Sequence, residues 1–244
     1  MNMQPFPPVS SRLPSMEILA VPVAAIDWQE ALEVLGGYLR DRRFTPVAFL
    51  NAHNANVACV DDDLTYALEN FLVLPDGVGV DIAARFLHGR AFPANLNGTD
   101  FVPALIASVP TRLKVALLGA TEENAGGAAE HLSVIAPQHE YRVIHDGYFT
   151  REQESDIIAE IADYRPDILL VAMGVPRQEL WIERNLTPLH CTMPIAVGAL
   201  LDFLSGHVPR APLWMRRLRL EWLFRLWNEP GRLWRRYVLG NPLF

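Results

Sequence analysis

The sequence predicts an α/β fold: a mostly parallel, Rossmann-like sheet with helices on both faces, followed by a short helical C-terminal appendage. Three observations carry this expectation. Short apolar runs alternate with stretches of helical apolar spacing from residue 16 to about 208, the pattern of strands and their covering helices. The runs are apolar on both faces, as central parallel strands are. Most of them stop abruptly on Gly, Pro or a polar residue, which marks a turn from strand end to helix start.

Taken in order, residues 16–23 read as a first strand, and Asp27, with Glu30 three residues on, opens a helix to about Arg43. Residues 46–51 form a second strand ending in the polar turn Asn51-Ala-His-Asn54. A helix begins at Asp62 or Asp63 and runs to Asn70, and residues 71–74 form a short, fully apolar strand halted by Pro75. Asp76 and Gly77 follow, and apolar residues resume at helical spacing over 78–87. After a turn-rich stretch, Thr99 is expected to cap a helix to about Val109. Residues 113–118 make a strand closed by Gly119, and Thr121 opens a helix to about Ile135. Residues 141–144 make a strand ending at His145-Asp-Gly-Tyr148, and Thr150 with Gln153 opens the next helix. The most apolar strand spans 167–173. It ends at Gly174, with Pro176 at the expected first position of a helix. Residues 194–197 form the last strand, ending at Gly198.

Composition narrows the function. With 244 residues, 50% of them hydrophobic, and a mean hydropathy of +0.12, the chain can bury a sizeable core. Cys59 and Cys191 stand far apart with no metal-type spacing, which suits a reducing compartment and disfavours a disulfide or zinc site. Residues 1–15 hold Pro5, Pro7, Pro8 and Pro14 and read as a flexible arm, not a signal peptide. No run of eighteen apolar residues is present, so no membrane span is expected. The net charge of -7 hides an asymmetry: residues 209–244 carry eight Arg against two Glu, or +6, which leaves -13 for the rest. Trp214, Trp222, Trp227 and Trp234 also fall in this tail. It suits an anionic partner or surface.

Several chemistries are excluded by motif. There is no phosphate loop of the Gly-x-x-x-x-Gly-Lys type, Gly77-Val-Gly79 lacks the third glycine of a dinucleotide fingerprint, and no Gly-x-Ser-x-Gly elbow is present. The triplet Asp61-Asp62-Asp63 has the look of a metal-binding Asp-x-Asp, but its place at a helix start favours capping and dipole roles. Asp76 has two readings, a helix cap or a functional carboxylate. What tips the balance is its company. Asn51, Asn54, Asp76, Tyr148, Gln178, Glu179 and Asp202 all lie just after successive strand ends, and in a parallel sheet those ends share one edge, where ligands bind.

The blocks Val73-Leu-Pro-Asp-Gly-Val-Gly-Val80, Asn97-Gly-Thr-Asp100, Gly174-Val-Pro-Arg-Gln-Glu-Leu-Trp181, Gly198-Ala-Leu-Leu-Asp-Phe-Leu-Ser-Gly206, Arg210-Ala-Pro212 and Leu220-Glu-Trp-Leu-Phe-Arg-Leu226, continuing through Glu229-Pro230 to Tyr237, resemble the WecG/TagA/CpsF glycosyltransferase family over about residues 16–244. The resemblance implies an inverting transferase that moves a sugar from a UDP donor to a polyprenyl-diphosphate-linked saccharide, needing no metal or other cofactor, with a C-terminal appendage that closes over the site at the membrane. Position by position, it implies Asp76 as general base, Asn51 and Gln178 at the sugar, Tyr148 and Asp202 near the uridine, and Arg225, Arg232 and Arg235 on the diphosphate. Asn54 and Gly174 join the substrate-binding set. In one respect the chain departs from the family pattern, which often has Thr two residues before the Asn, where Phe49 stands.

The expected organisation is an arm at 1–15, a catalytic α/β domain at 16–208 and an Arg/Trp-rich appendage at 209–244. The expected setting is cytoplasmic, peripheral on the inner face of the membrane, with an anionic lipid surface and no nucleic acid as partner. A Trp-rich tail also fits a homo-oligomer interface. The rival reading is a non-catalytic nucleotide-sugar-binding subunit of a polysaccharide assembly complex. Both readings keep the uridine pocket and part at Asp76, which a sensor does not need.

Overall fold

Eight strands pair into a single sheet in a computed structural model that describes residues 13–212, 214, 215, 221–228 and 231. The strands are β1 (Ser15–Ile18), β2 (Val21–Ala24), β3 (Val47–Leu50), β4 (Leu72–Pro75), β5 (Lys114–Gly119), β6 (Glu140–His145), β7 (Ile168–Ala172) and β8 (Met193–Ala196), in the order β1-β2-β4-β3-β8-β7-β5-β6. Every pairing is parallel except β1 with β2. The α/β class expected from the sequence is therefore the observed one.

Because side chains alternate along a strand, each strand feeds two cores. Val47 and Phe49 of β3 and Leu170 of β7 face one layer, built from α1 (Trp28–Arg40), α5 (Gly98–Ser108), α6 (Glu122–Ile135) and α9 (Leu200–Leu204). Ala48, Leu50, Leu169 and Val171 face the other. That second layer holds α2 (Ala52–Ala58), α3 (Asp62–Glu69), α4 (Val78–His88), α7 (Arg151–Tyr164) and α8 (Arg177–Asn185). A fully buried strand residue such as Leu170 contributes about 1.5–3 kcal/mol by leaving water, and Leu170→Ala would cost about 2–5 kcal/mol once the cavity is included. Several predicted helix starts are in place: Asp27 accepts from the Glu30 N–H at 2.9 Å, Thr121 from the Asn124 N–H at 3.2 Å, and Gln153 Oε1 from the Thr150 N–H at 2.9 Å.

Four local expectations are corrected. Residues 16–23 are not one strand but the hairpin β1-β2, turning at Leu19 and Ala20, both left-handed (φ 49° and 66°). Neither is the Gly or Asn that normally announces such a turn. Asn51-Ala-His-Asn54 is not a loop but the start of α2, with Asn51 as its cap. The cap of α5 is Asn97, not Thr99: its Oδ1 accepts from the Asp100 N–H at 3.1 Å. Pro176 is the N-cap of α8 and not its first helical residue.

The connections leaving β5 and β7, which are neighbours, run in opposite directions across the sheet. Such a switch point opens a crevice at the carboxyl ends of the strands. The closeness of the two backbones there explains Gly119. Its φ is +121°, and a Cβ on it would lie 2.3 Å from the Ala172 carbonyl oxygen.

Candidate active site

A crevice of about 390 Å³ lies along that edge, lined by residues that follow six of the strands, within the size range of small-molecule sites. It brings together Asn51, Asn54, Asp76, Tyr148, Gly174, Gln178 and Asp202, as the sequence anticipates.

Asp76 stands directly after β4. Its N–H donates to the Leu50 carbonyl at 2.9 Å, so the backbone is still held by the neighbouring strand where the side chain turns into the crevice. It does not cap α4, because Gly77 holds that position (φ 93°) without a side-chain cap bond, and the Gly77 N–H goes to Asn95 Oδ1 at 2.8 Å. Asn51 Nδ2 instead donates to Asp76 Oδ2 at 3.3 Å. The Asn51 amide cannot turn round, since its Oδ1 accepts from the His53 and Asn54 N–H groups, both at 3.1 Å. One residue thus starts a helix and orients a carboxylate. Asn54 is drawn back to the strand, its Nδ2 donating to the Phe49 carbonyl at 2.9 Å. The Phe49 ring fills this part of the wall. It lies so close over Gly98 that a Cβ there would meet ring carbons at 3.0 Å.

The opposite wall is held differently. Gln178 is only 3% exposed. Its Oε1 accepts from the Gly198 N–H at 3.0 Å, and its Nε2 donates to Glu179 Oε1 at 2.8 Å. Glu179 is not among the crevice-lining residues, contrary to the sequence expectation. It is buried, 2% exposed, and its Oε2 has no hydrogen-bond partner among the described residues. Burial pushes its carboxyl above the usual range, with the Gln178 amide opposing. Asp202, in the first turn of α9, accepts from Asn124 Nδ2 at 2.7 Å. Tyr148 stands at the rim, 76% exposed, in the manner of a side chain that a planar ring could cover.

Three residues escaped sequence reasoning. Asn124 looked like an ordinary first-turn helix residue, and only the fold places it under Asp202. Arg177 lines the crevice, donates from Nη1 to the Gly147 carbonyl at 2.9 Å and stacks 5.1 Å from the Phe149 ring centroid. Its place beside Gln178 in the Gly174 block was the available signal. Arg210 Nη1 pairs with Asp100 Oδ1 at 2.9 Å, while Asn97 Nδ2 holds Asp100 Oδ2 at 3.1 Å. Gly98 and Thr99 between them line the crevice, so the root of the tail is fastened to the crevice wall.

The acidic triplet lies away from the crevice lining. Asp61 caps α3, accepting from the Leu64 N–H at 3.0 Å, and Asp63 meets Arg184 at 3.6 Å. Arg225 lies in α10 (Glu221–Asn228), and Arg232 and Arg235 fall outside the described residues. The crevice thus offers a fixed carboxylate on one wall. On the other it offers glycine backbone, an oriented amide and a second carboxylate, an arrangement that can accept a proton from a hydroxyl while holding a polar ligand across the sheet edge.

The sequence profile described as the Glycosyl transferase WecG/TagA/CpsF family matches residues 16–244. A protein of Bacillus subtilis (strain 168), named N-acetylglucosaminyldiphosphoundecaprenol N-acetyl-beta-D-mannosaminyltransferase, is 33% identical over 213 residues, covering 85% of this chain and 80% of that protein. Proteins of the same name from Bacillus spizizenii (31% over 173 residues; 70% of this chain, 65% of that protein) and Staphylococcus aureus strain NCTC 8325 (36% over 166 residues; 66% and 64%) are also similar.

Proposed function

The chain belongs to the WecG/TagA/CpsF family of glycosyl transferases, and from that premise we propose that it moves a hexosyl group from a UDP donor, with inversion, to a polyprenyl-diphosphate-linked saccharide. The sugar is of the N-acetylmannosamine type, its uronic acid or glucose, and the product belongs to a bacterial exopolysaccharide or cell-surface glycan. The observation that carries this reading is Asp76, held by Asn51 at one end of a crevice built on the sheet's carboxyl edge.

In the proposed step an acceptor hydroxyl attacks the anomeric carbon from the side opposite the UDP. Asp76 takes the hydroxyl proton as the new carbon–oxygen bond forms, a contribution of roughly 10² to 10⁴ in rate. The bond from the anomeric carbon to the diphosphate breaks, and its electron pair leaves with UDP. Asp202 and Tyr148 suit the uridine, and Gln178 and Asn51 the sugar. Arg177 is already in the crevice, and Arg225, Arg232 and Arg235 of the appendage supply further charge to the diphosphate, since guanidinium groups pair well with phosphate oxygens. Phe49 removes a hydroxyl from the sugar side and bears on which donor is taken.

No helix among the described residues is long and apolar enough to cross a membrane. The appendage, residues 209–244 with +6, suits contact with an anionic lipid surface, at about 1 kcal/mol per basic residue near it. The expected setting is the inner face of the cytoplasmic membrane. The test is to incubate the full chain with a panel of UDP-sugars and lipid-diphosphate saccharides and to measure UDP release. Release that requires the acceptor supports the transferase. Tight UDP-sugar binding without acceptor-dependent release would instead identify a nucleotide-sugar-binding subunit.

A further inference from the structure

The helix that leaves the Asp76 turn carries an outer face that the fold does not cover. On α4, Phe86 is 89% exposed and Ile82, one turn earlier, 62% exposed. Arg85 is exposed between them on the same side, since positions three and four apart share a helix face. Leu87, His88 and Arg90 are exposed at the helix end. Asp81 is the one carboxylate of α4, and it is buried. His88 Nε2 lies 2.7 Å from the Glu17 carbonyl, which ties the end of α4 to β1. Two residues beyond Glu17 the hairpin tip presents Leu19, also exposed. Leu19 keeps a left-handed backbone that Gly or Asn would adopt with less strain. Glu17 is exposed as well and is the only acidic residue of the hairpin.

We propose that this face of α4, extended by Leu19, docks on an anionic lipid bilayer along the flank of the α/β body. The proposal rests on the reading that the acceptor is lipid-linked, and it adds a membrane contact within the α/β body, separate from the appendage. Apolar side chains of this size flanked by arginines, with no exposed carboxylate on the helix, match the surface of a helix lying in the plane of an anionic headgroup layer. The match is notable in a body whose charge is otherwise -13. A second copy fits less well, because a twofold contact would bring Arg85 towards its own copy. The few apolar side chains also fall short of the roughly 800 Å² per partner that a stable interface needs. The chain's own tail fits less well too, because at +6 it repels Arg85 and Arg90. The helix starts at the Asp76 turn and ends against β1 at the other edge of the sheet, so a bilayer contact along it would lie alongside the body, with the crevice beyond its N-terminal end.

The test uses the full chain with vesicles of phosphatidylglycerol and phosphatidylcholine in equal parts, or of phosphatidylcholine alone. Phe86→Cys is labelled with a polarity-sensitive fluorophore in a Cys59→Ser background, since Cys59 is exposed and Cys191 buried. The emission should shift to the blue on the anionic vesicles, stay unchanged on the neutral ones and return with added salt. The double variant Ile82→Ser/Phe86→Ser should lower vesicle partitioning about tenfold while turnover on a short-chain, water-soluble acceptor stays the same. An unmoved emission in vesicle-bound protein would overturn the proposal. So would a blue shift that appears with rising protein concentration and a doubled mass in sedimentation, which would make the face a seat for a second copy. If the unmodified chain transferred no sugar to any acceptor, the transferase reading would fail, and the fluorescence would still decide the docking.

Discussion

The two walls of the crevice hold their polar groups by different means. On the β3 and β4 wall, one side chain orients another: Asn51, locked by the first N–H groups of α2, points its amide at the Asp76 carboxylate. On the β7 and β8 wall, a side chain holds the main chain instead, Gln178 taking the Gly198 N–H and leaning on a buried carboxyl. The first arrangement fixes a carboxylate, and the second fixes the shape of a loop. On the proposed function, the difference puts chemistry on one wall and recognition on the other.

The largest expected effect breaks that assignment if it fails. Asp76→Asn keeps the shape but cannot accept a proton, so turnover should fall by about two orders of magnitude or more while the donor KM moves little. Near-normal turnover would leave the two walls equivalent. On the recognition wall, Asp202→Ala should raise the donor KM roughly 10- to 100-fold with kcat nearly kept, the size of a lost hydrogen bond to a charged group. A fall confined to kcat would move Asp202 to the chemical side. Asn51→Ser sharpens the contrast, since serine still caps α2 but is too short to hold Asp76. A drop of about tenfold in turnover with an unchanged melting temperature is expected, and a fall in stability alone would reduce Asn51 to a cap.

The smallest effect concerns the buried support of the recognition wall. Glu179 has a folded pKa raised above its unfolded value near 4.3. Its contribution to stability is therefore fully present below that unfolded value and is lost as the pH rises through the folded one. Glu179→Gln removes the buried charge and keeps an acceptor for Gln178. It should melt higher than the parent at pH 8, by about 2–4 °C for a gain of roughly 1 kcal/mol in a protein of this size, with the gap closing near pH 4. A variant less stable at every pH would mean that the charge itself holds Gln178.

The sequence made the strand and helix alternation legible because the apolar runs of β4, β5 and β7 are short, unbroken and sharply ended. It hid the hairpin, because Leu19 and Ala20 lack the residues that turn a chain with φ > 0, and it hid α2, because Asn51-Ala-His-Asn54 is as polar as any loop. Asp76 and Asn51 were each visible as strand-end residues. Their bond was not, since it depends on the parallel register that sets Leu50 opposite Pro75. The support of Asp202 by Asn124 spans 78 residues and no local pattern encodes it. Glu179 looked like a crevice residue because it follows a strand end, but consecutive helix positions point about 100° apart, and this one turns inward.

The ion pair between Arg210 and Asp100 gives the tail a fixed point of departure on the crevice wall. From there Arg225 is fifteen residues away, so it can lie no farther off than about 50 Å even on a fully extended chain. A group leashed this closely meets its target at an effective concentration in the millimolar range. A tail from another molecule, present at the micromolar levels of an ordinary protein, starts at a disadvantage of about a thousandfold. If the appendage arginines reach the diphosphate as proposed, each crevice is served first by those of its own chain.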